Sequence, residues 1–107
     1  MKLDRLEPSL KPKYKMVARF ITDSGEVKSV HFGARGYNDY TIYSKMAKQG
    51  KITQEEADKK KEAYIARHKV SENFEKPDTA GALSYWILWN KPTLRESISS
   101  YKKHFGF

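Results

Sequence analysis

Two patterns of apolar and polar positions divide the chain. Residues Lys13-Tyr-Lys-Met-Val-Ala-Arg-Phe-Ile-Thr22 and Glu26-Val-Lys-Ser-Val-His-Phe32 alternate as half-buried strands do. Between them Asp23-Ser24-Gly25 suits a three-residue hairpin loop with Gly25 in the left-handed position. With that loop Ile21 faces Val27, and Met16, Ala18 and Phe20 share a face with Val30 and Phe32. From Tyr40 onward the period becomes helical. Asp39 is placed to cap a helix that starts at Tyr40 and ends at Gly50, with Tyr43, Met46 and Ala47 on its inner side. Thr53-Gln-Glu-Glu56 reads as a capping box, with Ile52 as its staple onto Ala57, and the helix it opens runs towards His68. The apolar face of that helix is thin (Ala57, Tyr64, Ile65), so Lys59, Lys60 and Lys61 are expected in water. A second capping box, Thr93-Leu-Arg-Glu96, opens a last helix whose stripe is Leu94, Ile98, Tyr101 and Phe105, with Gly106 ending it.

The segment from Asp78 to Leu94 holds both tryptophans, Trp86 and Trp89. Leu83, Trp86 and Ile87 recur at helical spacing, and Tyr85, Leu88 and Trp89 cover the adjoining face, so a short helix here is apolar almost all round. Such a helix is buried on most sides, and Asn90-Lys-Pro92 ends it because the residue before a proline avoids the helical region. The plain reading is core; a groove lined by the same rings is the alternative. Residues 1–12, with Pro8 and Pro12 flanking Ser9, read as an extended N-terminal arm. Phe74, in the loop before the tryptophan segment, is expected to be tucked in. The expected fold is therefore α+β: residues 1–107 form a single domain, with an N-terminal β-hairpin packed on three to four short helices and a core centred on Trp86 and Trp89.

Charge changes this picture. With 21 Lys and Arg against 13 Asp and Glu, the net charge is +8, which favours an anionic partner such as nucleic acid, an acidic protein face or anionic lipid. Lys11, Lys13, Lys15, Arg19 and Lys28 give the hairpin a basic stripe suited to phosphate contacts. No helix-turn-helix, zinc-finger or single-strand-binding signature accompanies the stripe, so sequence-specific readout is not supported. Absence of cysteine excludes disulfide and thiol chemistry. His31, His68 and His104 stand at no triad or metal-ligand spacing, and Ser84 lacks a nucleophile-elbow context, so no enzyme, metal or cofactor is expected. The first eight residues lack the apolar stretch of a signal peptide and no run is long enough to span a membrane.

Gly33 and Gly36 sit among aromatics in a loop that requires unusual backbone angles but lacks a phosphate-loop signature. Arg35 and Tyr37 in that loop, with Arg67 and His68, form a candidate recognition group; the competing reading has the arginine and histidine pinning the loop through backbone carbonyls.

One succession of motifs is distinctive: His31-Phe-Gly-Ala-x-Gly-Tyr-x-Asp-Tyr-Thr41, Tyr64-Ile-x-Arg-His68, Thr79-Ala-Gly-Ala-Leu-Ser84, Leu88-Trp-Asn-Lys-Pro-Thr-Leu94 and Tyr101-Lys-Lys-x-Phe105. With Leu6-x-Pro-Ser9 it covers nearly the whole chain and resembles a family of small basic proteins encoded by large DNA viruses of algae and protists. The chain departs from the family's pattern between Ile42 and Ala63. The resemblance implies a viral setting and no particular activity. Joined to the charge, it leads to the expectation of a non-enzymatic, basic, virion-associated structural or accessory protein. Such a protein would dock on acidic capsid protein surfaces or the packaged genome, and would reside in the virion and, during assembly, in the host cytoplasm or nucleus. The alternative is a non-specific nucleic-acid-binding protein of viral replication or transcription.

Overall fold

A computed structural model describes residues 1–107. Three strands come first, β1 (Lys2–Pro8), β2 (Tyr14–Ile21) and β3 (Val27–Ala34), forming an antiparallel sheet in the order β1-β2-β3. Helices follow: α1 (Tyr40–Lys48), α2 (Gln54–His68), α3 (Ala80–Leu83), a π-helical turn (Ser84–Leu88) and α4 (Leu94–Phe105). The α+β class and the hairpin register are as the sequence predicts. Ile21 pairs with Val27, Ala18 with Val30 and Met16 with Phe32. Gly25 turns the loop at φ 85°, its N–H donating to the Thr22 carbonyl at 2.9 Å.

The N-terminal arm is a correction. Lys2–Pro8 is not a free arm but an edge strand that makes the hairpin a three-stranded sheet, with Leu3 opposite Phe20 and Leu6 opposite Ala18. The register shifts between Leu3 and Arg5, so two leucines three positions apart both meet core residues. Strict alternation would have sent them to opposite faces, which is why the strand does not show in the pattern. Pro8 ends the strand at the sheet edge, and Pro12 lies second in a turn closed by the Tyr14 N–H on the Lys11 carbonyl at 3.2 Å.

Local chemistry sets the helix ends. Asp39 accepts from the Ile42 N–H, and the Gly50 and Lys51 N–H groups close α1 on the Ala47 and Met46 carbonyls in a Schellman arrangement. The Thr53/Glu56 capping box is complete. At α4 only half the expected box forms: Thr93 accepts the Glu96 N–H, whereas the Glu96 carboxylate takes the Thr93 hydroxyl at 2.9 Å. Gly106, at φ 74°, ends that helix, while Leu94 faces outward, so the buried stripe begins at Ile98.

The tryptophan segment is not one α-helix. Thr79 caps α3, and the chain then widens into the π-turn, which carries Trp86 and ends at Trp89, where the backbone leaves helical geometry. Leu83, Ile87 and Leu88 point into the core with Phe20, Phe32 and Tyr101, and both indoles pack against that cluster from its flanks. Trp86 stacks on His104 at 4.3 Å and donates from Nε1 to the Phe74 carbonyl at 2.8 Å. Trp89 stacks almost parallel on Tyr64, with centroids 4.2 Å apart. Each indole thus anchors its own aromatic cluster. The sheet, α3, the π-turn and α4 pack together, while α1 and α2 pack chiefly on each other.

Candidate functional site

A cleft of about 630 Å³ opens where the end of the β2–β3 hairpin, the 34–39 loop, α2 and the π-turn meet. Phe32, Leu88 and Trp89 line its apolar side. Helix α2 contributes Lys60, Tyr64 and Arg67 at i, i+4 and i+7, which places them on one helical face. Burial, and secondarily the charge of Glu72, pushes the Tyr64 phenol up to about 12, so it remains a neutral ring. Tyr64 is sandwiched between Trp89 and His68, the latter at 4.1 Å. His68 holds Glu72 at 3.2 Å through Nδ1. Trp89 is also tilted against Tyr43 at 6.2 Å.

The opposite rim carries Lys13, Tyr14 and Tyr37. Both tyrosine rings are open to water, Tyr14 at 39% and Tyr37 at 73% exposure. Gly33 permits the close approach beneath them: a Cβ there would lie 2.6 Å from Leu88 Cδ1. Arg35 does not reach into the cleft. Its guanidinium donates to the carbonyls of Tyr14 (3.0 and 2.8 Å) and Ser9 (2.7 Å), tying the loop to the start of β2.

The candidate residues therefore separate. Lys13, Lys15, Tyr37, Arg67 and His68 line the cleft, whereas Lys11, Arg19, Lys28 and Arg35 do not. The basic stripe is not one continuous rail of free charge. Lys15 meets the buried Asp39 at 2.7 Å, Arg19 meets Glu7 at 2.7 Å and Lys28 meets Asp78 at 2.7 Å. The hydrogen bond from Lys28 holds the Asp78 carboxyl below its ordinary range. Lys11 and Lys13 carry no ion pair. Sequence reasoning missed Lys60 and Tyr43 as parts of the site; of the two tryptophans it offered as the alternative groove lining, Trp89 lines the cleft and Trp86 does not. Lys59 and Lys60 are exposed as the sequence predicts, but Lys61 is a correction: it is half-buried, and its amine donates to the Asn90 carbonyl at 2.7 Å.

The histidines have structural partners. His31 Nδ1 lies 2.7 Å from Ser9 Oγ, and burial, with Lys11 and Arg19 nearby, depresses its pKa. His104 meets Glu75 at 2.8 Å beneath Trp86. No three His, Asp or Glu side chains gather to hold a metal ion, and no helix is long and apolar enough to cross a membrane. What the cleft offers is aromatic surface, and its lining cations Lys13, Lys60 and Arg67 form no ion pair within the chain. Comparison with protein-family models, with curated proteins and with solved structures finds no match to this chain.

Proposed function

We propose that this protein is a non-enzymatic, basic component of the particle of a large DNA virus, structural or accessory in role, that docks on an anionic surface. Acidic faces of capsid proteins and the packaged genome are the two surfaces of that kind. The observation that carries the docking role is the rim of the cleft. Lys13 stands on the rim that carries the exposed rings of Tyr14 and Tyr37, with Lys60 and Arg67 across the cleft on α2, and none of the three cations forms an ion pair with a carboxylate of the chain. Asp39 also lines the cleft, but its charge is matched by Lys15 at 2.7 Å and its other oxygen caps α1. Tyrosine and arginine at a concave, partly apolar surface are the residue types that carry binding energy in interfaces. The viral setting is supported by the motif succession in the sequence. The non-enzymatic reading is supported by the occupation of all three histidines in ring stacking and hydrogen bonding within the fold.

The exposed rings also favour a second reading, a nucleic-acid-binding protein acting in replication or transcription. Quantitative proteomics of purified particles separates the two. A particle component is present in abundant, stoichiometric copies. A protein confined to infected-cell extract and missing from particles overturns the first reading.

A further inference from the structure

We propose, building on the docking role above, that the cleft receives single-stranded nucleic acid. In this arrangement bases stack on Tyr14 and Tyr37, and phosphates lie against Lys13, Lys60 and Arg67. Three observations converge on this occupant. The first is charge complementarity. Of the cations lining the cleft, Lys15 is neutralised by Asp39 at 2.7 Å, while Lys13, Lys60 and Arg67 have no acidic partner. These three lie on two sides of the cleft, on the turn before β2 and on α2, so a polyanion crossing it meets charge on both banks.

The second is ring exposure. Large apolar side chains left in water are normally scattered singly, yet Tyr14 and Tyr37 line the same cleft at 39% and 73% exposure. A base has a π-face whatever its identity, so exposed rings beside cations form a sequence-tolerant stacking platform. A run of acidic residues alone would use the cations and offer the rings no flat face to stack on.

The third is pre-organisation. The Arg35 guanidinium bonds the Tyr14 carbonyl at 3.0 and 2.8 Å, and the Arg35 N–H donates to the Lys13 carbonyl at 3.0 Å. The loop bearing Tyr37 is thereby fixed to the strand bearing Tyr14 before any ligand arrives. Fixing the backbone that carries the rings reduces part of the ordering that binding otherwise requires. Concavity selects strand over duplex: unpaired bases can splay into a cleft of about 630 Å³, whereas a duplex keeps its bases inside its own stack.

The experiment is a titration of the full chain with fluorescein-labelled oligothymidylate, with a duplex of the same length and with poly-glutamate, at low and moderate salt. The expected result is preference for the single strand. Tyr37→Ala then weakens it by roughly 5- to 150-fold, the range for one base–aromatic stack, with an unchanged salt slope. Lys60→Gln and Arg67→Gln each flatten the log–log salt slope by about 0.7, the single-strand value per phosphate. Lys102→Gln with Lys103→Gln removes twice the charge of either variant, away from the cleft, and leaves affinity nearly unchanged. Equal binding of strand and duplex, or indifference to Tyr37→Ala, overturns the proposal. Binding of poly-glutamate alone overturns it while leaving docking on an acidic protein intact, and binding of none of the three removes both.

Discussion

Gly33 offers the sharpest test of how the cleft is built. It lies in β3 at φ +80°, and a Cβ there would stand 2.6 Å from Leu88 Cδ1 and 3.2 Å from Lys15 Cβ. Gly36, three residues on at φ +90°, has nothing within 4 Å of the same position. Alanine at either site pays the left-handed penalty of roughly 1–2 kcal/mol. Reduced freedom of the unfolded chain offsets this by about 0.4–1 kcal/mol. Gly36→Ala therefore loses about 1 kcal/mol. Gly33→Ala adds overpacking of about 1–3 kcal/mol, because Leu88 is itself only 4% exposed and has little room to yield. Its net loss is about 3 kcal/mol, a large share of the roughly 5–15 kcal/mol that holds a small domain together. Urea denaturation followed by tryptophan fluorescence reads both values. The comparison is then repeated in a Leu88→Ala background, where the added methyl finds space and the Gly33→Ala loss falls to about 1 kcal/mol. Equal losses at the two glycines, or an undiminished Gly33→Ala loss beside Leu88→Ala, refute the close-approach reasoning.

The tryptophans and one ion pair give two further expectations. Trp86→Ala and Trp89→Ala each lose about 3 kcal/mol, the low end for emptying an aromatic site, since both rings are only half-buried; wild-type urea midpoints in both variants would sink the packing account. The Asp78 carboxyl is held below 3.8 chiefly by Lys28, so its stabilisation is present above that pH and is lost as pH falls through the lower folded value. Lys28→Gln therefore gives a shallower loss of stability as pH falls from the ordinary carboxylate range through that lower value, and an identical acid limb in the two proteins contradicts the pairing.

Legibility in the sequence followed the range of the interactions. The hairpin register was readable because Asp23-Ser24-Gly25 sets it within a few residues, and the helix starts were readable because Asp39, Thr53 and Thr93 cap within three. β1 was hidden because its register shift breaks alternation at Asp4 and its pairing is recognised only once β2 is in place. The π-turn was hidden because nothing in Ser84–Leu88 distinguishes i→i+5 from i→i+4 bonding. At the cleft, the glycine loop announced Tyr37, but Lys60 reaches the same space only through the packing of α2. The basic stripe looked free because its carboxylates are remote in sequence, Asp39 from Lys15 by 24 positions and Asp78 from Lys28 by 50.

The mutual packing of α1 and α2 has a mechanical side. What fastens this pair to the rest is the Tyr64–Trp89 stack, the tilted Tyr43–Trp89 contact, the Lys61 amine on the Asn90 carbonyl at 2.7 Å and the Lys15–Asp39 pair. The cleft lies along that seam, so the seam is the joint of the molecule and the cleft its opening. In the arrangement proposed above, a strand laid across from Lys13 to Lys60 adds one more tie over that seam, joining the sheet side to the helical pair.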